Sequence, residues 1–141
     1  MSEGSISLPN PFRDLLGIQA LESQPGESHF LLELEQAYAN PDCYLHGGVI
    51  ATLLDIAMAY ASWSVEGVRS VATVSMQIDF LEAVSIPGTL HAQGWTTRRG
   101  QRLHFVSGDV WDAAGRLVGQ ARGTFAIRRA DGEPQNHFGA R

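Results

Sequence analysis

The hydrophobic pattern of the chain is dominated by one long apolar segment in its first half. From Val49 to Ala61 every residue except Thr52 and Asp55 is apolar, and a run of this length predicts a helix from about His46 to Trp63. A helix that is apolar on every side is expected to be buried. A buried carboxylate is costly unless it is paired, hydrogen-bonded or protonated, so Asp55 is a candidate for chemistry.

After Gly67 the hydrophobic period changes from 3.6 to 2, which predicts consecutive antiparallel strands. Short turns are expected at Pro87-Gly88, at Arg99-Gly100 and at residues 112–115. The first strand after Gly67 is expected to carry Thr73 on its polar face. Its apolar face is expected to hold Ala72, Val74, Met76, Ile78 and Phe80. In the last strand, the residues expected to share one face are Leu117, Gly119, Ala121, Gly123, Phe125 and Ile127.

The segment before the long helix predicts two further elements. Asn10 and Pro11 have the preferences of a helix cap and a first helical residue, which predicts a short helix to about Leu16. Apolar residues that alternate with more polar ones predict a strand, and they are Phe30, Leu32 and Leu34.

These elements predict an α+β architecture in which a curved antiparallel sheet of about five to six strands wraps the long helix, because no second helical layer is available. We expect a tail and short helix over residues 1–27, the folded domain over 28–129 and a C-terminal tail over 130–141. A single sheet leaves its second face open, so we also expect an oligomer, at least a dimer.

Composition narrows the class of protein. The 141 residues are 44% hydrophobic and 18% charged, which is typical of one globular domain and argues against disorder. The net charge of −5 favours neither nucleic acid nor an anionic membrane as a partner. With Cys43 as the single cysteine, no internal disulfide can form. The N-terminus has no secretion-signal pattern, and the apolar segment is too short to span a bilayer, so we expect a cytoplasmic protein.

The start of the predicted helix, His46-Gly47-Gly48, suggests how Asp55 could be used. Two glycines at a helix start let another molecule approach backbone N–H groups that have no partner within the helix. Such groups stabilise negative charge that develops on a carbonyl oxygen. The pattern therefore predicts an electrophile-binding helix end and a carboxylate that either attacks or activates water.

The spacing of Gly47 and Asp55 bears on how many chains form this site. Eight residues along one straight helix correspond to about 12 Å, so one small carbonyl cannot contact both residues of the same chain. The simplest arrangement is a composite site with Gly47 from one subunit and Asp55 from its two-fold mate. Such an isologous dimer carries two identical sites.

With these features, the chain resembles the hotdog-fold acyl-CoA thioesterases of the PaaI-like (phenylacetic acid degradation) type and the 4-hydroxybenzoyl-CoA thioesterases that share the His-Gly-Gly motif. The resemblance covers about residues 30–128. It rests on Asn40-x5-His46-Gly47-Gly48, Leu53-Leu54-Asp55-x-Ala57, Val74-x-Met76-x-Ile78-x-Phe80-Leu81, Pro87-Gly88, Asp109-x5-Gly115-Arg116-Leu117-Val118 and Gly123-Thr124. It implies the hotdog fold and hydrolysis of an acyl-CoA to the free acid and CoA.

The resemblance also implies a role for each catalytic candidate. Asp55 stands at the position of the catalytic acid, as nucleophile or general base, and the Gly47 N–H stands where the thioester carbonyl is polarised. Asn40 matches an asparagine that holds the carbonyl oxygen or the attacking water. His46 matches a histidine that supports the loop, and Thr73 falls where relatives carry a Ser or Thr near the acid. Each of these residues also has an ordinary structural interpretation, such as tight packing, capping of a helix or a place on the solvent side of a strand.

The substrate-binding candidates are Gly48, which leaves the helix start open, and three arginines at a predicted hairpin, Arg98, Arg99 and Arg102. The arginines form either a solvated turn or a patch for the phosphates of CoA. In place of the proline or basic residue that the family often has after the strand ending near Leu81, this chain has residues 82–85, Glu-Ala-Val-Ser. The histidines show no metal-ligand spacing, so neither a metal nor a cofactor other than the CoA of the substrate is expected.

Several alternatives remain open at this point. The acyl group could be aryl, phenylacetyl-like or medium-chain. The protein could instead be a non-catalytic acyl-CoA-binding hotdog protein or a hotdog hydratase or dehydratase, although Gly47-Gly48 after His46 argues against the latter. We expect a homodimer, and a homotetramer made of two dimers.

Overall fold

A six-stranded antiparallel sheet curves around one long helix in the computed structural model, which describes residues 9–129. The helices are α1 (Pro11–Leu16) and α2 (Gly47–Trp63), with a 3₁₀ turn at Gln36–Tyr38. The strands are β1 (Gln19–Ala20), β2 (Glu27–Glu33), β3 (Val68–Phe80), β4 (Thr89–Arg99), β5 (Leu103–Asp112) and β6 (Leu117–Arg129). They are ordered β1-β2-β4-β5-β6-β3. The predicted α+β hotdog architecture is confirmed.

The N-terminal part of the described chain is attached to the sheet. Helix α1 is capped by the Asn10 side chain, which accepts a hydrogen bond from the Arg13 N–H, and it begins at Pro11 as predicted. Strand β1 was not predicted, and it pairs antiparallel with β2 through Gln19 and Ala20. Residues 1–8 of the segment expected to hold a tail and short helix, and the C-terminal tail expected over 130–141, lie outside the described residues.

The core lies between α2 and the concave face of the sheet. Leu53, Leu54 and Met58 of the helix are fully buried. At Gly94 the sheet approaches the helix so closely that an added Cβ atom would overlap the carbonyl of Ala57. Glycine is needed at position 94, because the two atoms nearest to such a Cβ belong to the Ala57 backbone and cannot rotate away.

One side of α2 remains open in the single chain, so the prediction that this helix is buried on every side is wrong. Thr52, Asp55 and Ala59 are half-buried, and Gly48 is exposed. These positions are three or four residues apart and therefore share one face of the helix. The single curved sheet covers the other faces of α2, and the residues on the open face are mostly small.

Strand β3 changes face at a β-bulge. Its pairing with β6 shifts between Thr73 and Ser75, which leaves Val74 as an extra residue. Because one extra residue reverses the alternation of side chains, Thr73 lies on the helix side together with the apolar residues of the second half of the strand. The prediction that Thr73 lies opposite the apolar face, and that Ala72 and Val74 lie on it, is therefore wrong.

A buried histidine joins β5 to the end of α2. The Nδ1 atom of His104 lies 2.7 Å from the Ser62 hydroxyl, and both residues are fully buried. Within residues 9–129, Nε2 of His104 has no hydrogen-bond partner. Burial, together with smaller contributions from the guanidinium groups of Arg129 and Arg99, lowers the pKa of His104 from 6.5 to about 4.

This histidine predicts a loss of stability in mild acid. Between pH 6.5 and about 4 the unfolded chain protonates His104 whereas the folded chain does not, so the free energy of unfolding decreases as the pH falls. The full contribution is about 3 kcal/mol. Denaturant unfolding at pH 7 and pH 4.5 would measure it, with His104→Gln as the comparison. The variant should lose less stability over this range than the wild type; an equal loss in both would contradict the prediction.

Candidate active site

The start of α2 presents one unpaired backbone donor. His46 is the N-cap, and its Nδ1 atom accepts a hydrogen bond of 2.8 Å from the Gly48 N–H. The Val49 N–H donates to the His46 carbonyl. The Gly47 N–H has no hydrogen-bond acceptor within the described part of the chain. Of the two glycines in the motif, Gly47 therefore has the N–H that is available to an incoming carbonyl oxygen.

His46 thus has a defined function in the local structure. Because its Nδ1 accepts a hydrogen bond, the proton of the neutral ring is on Nε2. An added Cβ atom at Gly48 would lie 3.1 Å from this Nδ1, so a side chain there would displace the cap. The structure is consistent with the loop-supporting role expected for His46 and gives a packing reason for Gly48.

Asn40 organises the loop that leads into α2. Its Oδ1 atom accepts hydrogen bonds from the N–H groups of Asp42 (2.9 Å) and Tyr44 (3.0 Å). Both partners are donors, so the atom that faces them is the oxygen, and the remaining polar group of the side chain is the Nδ2 amide. Asn40 therefore has donor capacity left for a carbonyl oxygen or a water molecule.

Asp55 lies on the open face of α2, where the Thr73 hydroxyl of β3 donates a hydrogen bond of 2.7 Å to its Oδ1. The β3 bulge brings Thr73 to this side of the strand. Thr73 therefore orients the carboxylate, and the other carboxylate oxygen is left for a reacting molecule. This contact agrees with the position expected for Thr73, although the strand pattern alone placed it on the opposite face.

Phe80, at the end of β3, was not a candidate from the sequence. A Cβ atom added to Gly47 would lie 3.4 Å from its Cε1 atom, so the ring lies beside Gly47. Phe80 is exposed, as are the apolar residues Leu81 and Tyr44. A sequence signal that could have identified Phe80 is its position as an apolar residue at the end of the strand that borders the helix start.

The two ends of the candidate site are separated within one chain. Gly47 and Asp55 belong to one continuous helix, and eight residues correspond to about 12 Å along its axis. Strand β3, which carries Thr73, is also an edge strand of the sheet, and within residues 9–129 it pairs only with β6. The structure therefore brings together Asp55 with Thr73, and His46 with Gly47 and Gly48, but it leaves these two groups apart.

The three arginines predicted to bind phosphate lie at the other end of α2 from Gly47. Arg98 and Arg99 end β4, and Arg102 lies in the turn to β5. Arg99 pairs with His104 of β5. His104 in turn is hydrogen-bonded to Ser62, near the last turn of α2. A single chain therefore does not place this hairpin beside the Gly47 N–H.

The described residues hold neither a metal-binding cluster nor a membrane-spanning helix. Residues 9–129 contain no group of three or more His, Cys, Asp or Glu side chains arranged to hold a metal ion. None of the helices in this range is long and apolar enough to cross a membrane. A depression of about 480 Å³ on the outer sheet face is lined by polar residues such as Asp79, Asp109 and Arg122, and it includes none of the predicted site residues.

Comparison with known proteins gives consistent matches. The family profile described as "Thioesterase superfamily" matches residues 44–119. Human acyl-coenzyme A thioesterase 13 is 28% identical over 115 residues, which cover 80% of this chain and 82% of that protein. The zebrafish thioesterase superfamily member 2 structure has a TM-score of 0.74 and 27% identity, and covers 88% of this chain and 91% of its own. The Escherichia coli PaaI structure, at 23% identity, shares the fold with a TM-score of 0.80 over 84% of each chain.

Proposed function

This chain belongs to the thioesterase superfamily, and we propose that it hydrolyses acyl-CoA thioesters to the free acid and CoA. The proposal rests on two groups that the chain provides, one suited to the oxygen and the other to the carbon of a thioester carbonyl. Within the described residues, the Gly47 N–H at the helix start has no hydrogen-bond acceptor, and the Asp55 carboxylate is held by Thr73 on an open helix face. One polarises the carbonyl oxygen and the other acts at the carbonyl carbon.

The chemistry follows from these positions. As a nucleophile attacks the carbonyl carbon, negative charge develops on the oxygen, and the Gly47 N–H and the Asn40 amide stabilise it. Asp55 either takes a proton from the attacking water or attacks directly to form a mixed anhydride, which water then hydrolyses. In both routes the C–S bond breaks and the thiolate leaves, so no strong general acid is required.

We place this site between two copies of the chain. If two α2 helices cross antiparallel about a two-fold axis near Ala51, midway between Gly47 and Asp55, then Gly47 of each copy lies opposite Asp55 of the other. The small residues on the open face of α2 allow such an approach. The unpaired edge of β3 and its exposed Val74 are then available to the second copy. The result is an isologous dimer with two sites.

The remaining features of the proposal concern the substrate and the assembly. Arg98, Arg99 and Arg102 are proposed to bind CoA phosphates, and Gly48 keeps the helix start clear for the thioester. The acyl group is proposed to be aryl, phenylacetyl-like or medium-chain, and the exposed Phe80 ring beside Gly47 suits such an apolar group. We further propose that two dimers pair into a cytoplasmic homotetramer.

Release of free thiol from a panel of aryl-, phenylacetyl- and medium-chain acyl-CoAs tests the proposed function. We expect turnover with at least one of these groups and the best kcat/KM for the acyl group that fits the composite site best. Equilibrium binding of a non-hydrolysable thioether analogue provides the control. Tight binding without any turnover would overturn the proposal in favour of a non-catalytic acyl-CoA-binding protein.

A further inference from the structure

An ion-paired cluster lies at the end of the sheet where α2 begins, and none of its members belongs to the groups described above. Arg116 is at its centre, with Asp112 on one side and Glu82 on the other. We call these three residues the rim cluster. Of the three ion pairs among residues 9–129, two belong to it, so the paired charge of the described chain is concentrated here.

The rim cluster adjoins the segment that contacts the helix start. Phe80 lies beside Gly47, and the Val84 carbonyl accepts a hydrogen bond from the Leu45 N–H. Glu82 is midway between these two contacts along the chain, and its Cα atom is at most about 7 Å from that of Phe80. Glu82 therefore lies at the rim of the Gly47 end of the candidate site.

Asp112 fixes the position of Arg116. Its Oδ1 atom accepts hydrogen bonds from the N–H groups of Arg116 (2.9 Å) and Ala114 (3.0 Å), and its Oδ2 atom accepts one from Nε of Arg116 (3.1 Å). The hydrogen bond from the Arg116 N–H is the main reason that the pKa of Asp112 lies below its usual value. The turn between β5 and β6 thus holds Arg116 at the base of its guanidinium group, which leaves the terminal nitrogens for another partner.

The contact between Arg116 and Glu82 is the weaker of the two ion pairs. Nη1 of Arg116 lies 3.5 Å from Oε1 of Glu82, whereas its Nε lies 3.1 Å from Oδ2 of Asp112. The side chains of Arg116 and Glu82 are 54% and 46% exposed, and that of Asp112 is 20% exposed. An exposed and long ion pair contributes little to stability, so another anion can replace Glu82 at low cost.

Arg116 also has a distinct position among the basic residues, all ten of which are arginines. Among those of residues 9–129, it is the only one in a turn at the Gly47 end of the sheet. The arginines of the β4–β5 hairpin lie at the other end of α2 from Gly47. The copy that supplies Gly47 to a composite site therefore supplies Arg116 beside it.

We propose that Glu82 and Arg116 determine the selectivity of the site for thioesters with a phosphorylated thiol portion. When such a thioester binds at Gly47, Arg116 exchanges the Glu82 carboxylate for a substrate phosphate, because a guanidinium group binds phosphate through two parallel hydrogen bonds. Glu82 opposes this binding, since its ion pair must break and its negative charge stays near the phosphate. The inference rests on the proposed function and adds one residue that strengthens recognition and one that weakens it.

The experiment compares two thioesters of the same medium-chain acyl group, one with CoA and one with N-acetylcysteamine, which has no phosphate. The test variants are Arg116→Gln, Glu82→Gln and the double variant. The control is Arg122→Gln, which removes an exposed arginine from the outer face of the sheet, where it lines the polar depression. Melting temperatures establish that each variant is folded.

With the CoA thioester, we expect kcat/KM of Arg116→Gln to fall about tenfold, mainly through KM, and that of Glu82→Gln to rise about threefold. The rise should be absent when Arg116 is also replaced. Hydrolysis of the N-acetylcysteamine thioester should change less than twofold in every variant, and Arg122→Gln should change neither substrate by more than twofold.

The direction of the Glu82→Gln effect separates this inference from a purely structural ion pair. A structural pair predicts a fall with both substrates, and that result would overturn the inference, as would unchanged CoA hydrolysis by Arg116→Gln. No hydrolysis of either substrate by the wild type would instead overturn the proposed function itself.

Discussion

Replacing Asp55 with asparagine is expected to lower kcat for thioester hydrolysis by about 10³-fold, because an amide can neither attack the carbonyl carbon nor take a proton from water. The side chains have nearly the same shape, and the asparagine oxygen can still accept the hydrogen bond that Thr73 donates to Oδ1 of Asp55. KM and the melting temperature should therefore change little. Steady-state kinetics of purified Asp55→Asn measures the effect.

Asp109→Asn provides the matched control for this substitution. It removes the same charge from the outer face of the sheet, where Asp109 lines a depression that contains no residue of the candidate site. Its kcat should stay within about twofold of the wild type, as is usual for a surface change away from the chemistry. If Asp55→Asn retained wild-type turnover, Asp55 would be a structural residue and the assigned site would be wrong.

Replacing Gly47 with proline is expected to lower kcat by about 10²-fold or more, since it removes one oxyanion-stabilising N–H. The first helical position tolerates proline, and His46 before it already has the extended conformation that proline requires, with φ −66° and ψ 134°. The helix should therefore form normally, and circular dichroism would verify this.

Gly47→Ala separates the loss of the N–H from the addition of a side chain. It keeps the N–H, and its Cβ atom would lie 3.4 Å from the Phe80 ring, which is an ordinary van der Waals distance. We expect it to retain activity within a few fold of the wild type. Equal losses for alanine and proline would show that space beside Phe80 is what matters at this position, and not the N–H.

The fold could be predicted from the sequence because its strongest signals are local. The long apolar run, broken only at Thr52 and Asp55, predicted α2, the period of two predicted β4 to β6, and Asn10 with Pro11 predicted α1. The candidates at the helix start also follow from local sequence, since His46 caps the helix that Gly47 begins. Two adjacent glycines before a long apolar run are informative without any knowledge of tertiary structure.

What could not be predicted depends on contacts between distant segments. The position of Thr73 beside Asp55 depends on an extra residue in β3, and a bulge is defined only by the register with β6. Strand β1 has two residues, too few for a periodic signal. The open face of α2 differs from its buried faces in hydropathy only at Thr52 and Asp55, and two residues were too few to reveal it within a long apolar run.

The central claim is that Asp55 and Gly47 act on one thioester from two different subunits. Co-expression of equal amounts of Asp55→Asn and Gly47→Pro chains, each nearly inactive alone, tests it directly. In a randomly mixed assembly, about a quarter of composite sites receive both intact residues, so about a quarter of the wild-type thioesterase activity should return. Activity no higher than that of the separate variants, in mixtures shown to contain both chains, would contradict the composite site.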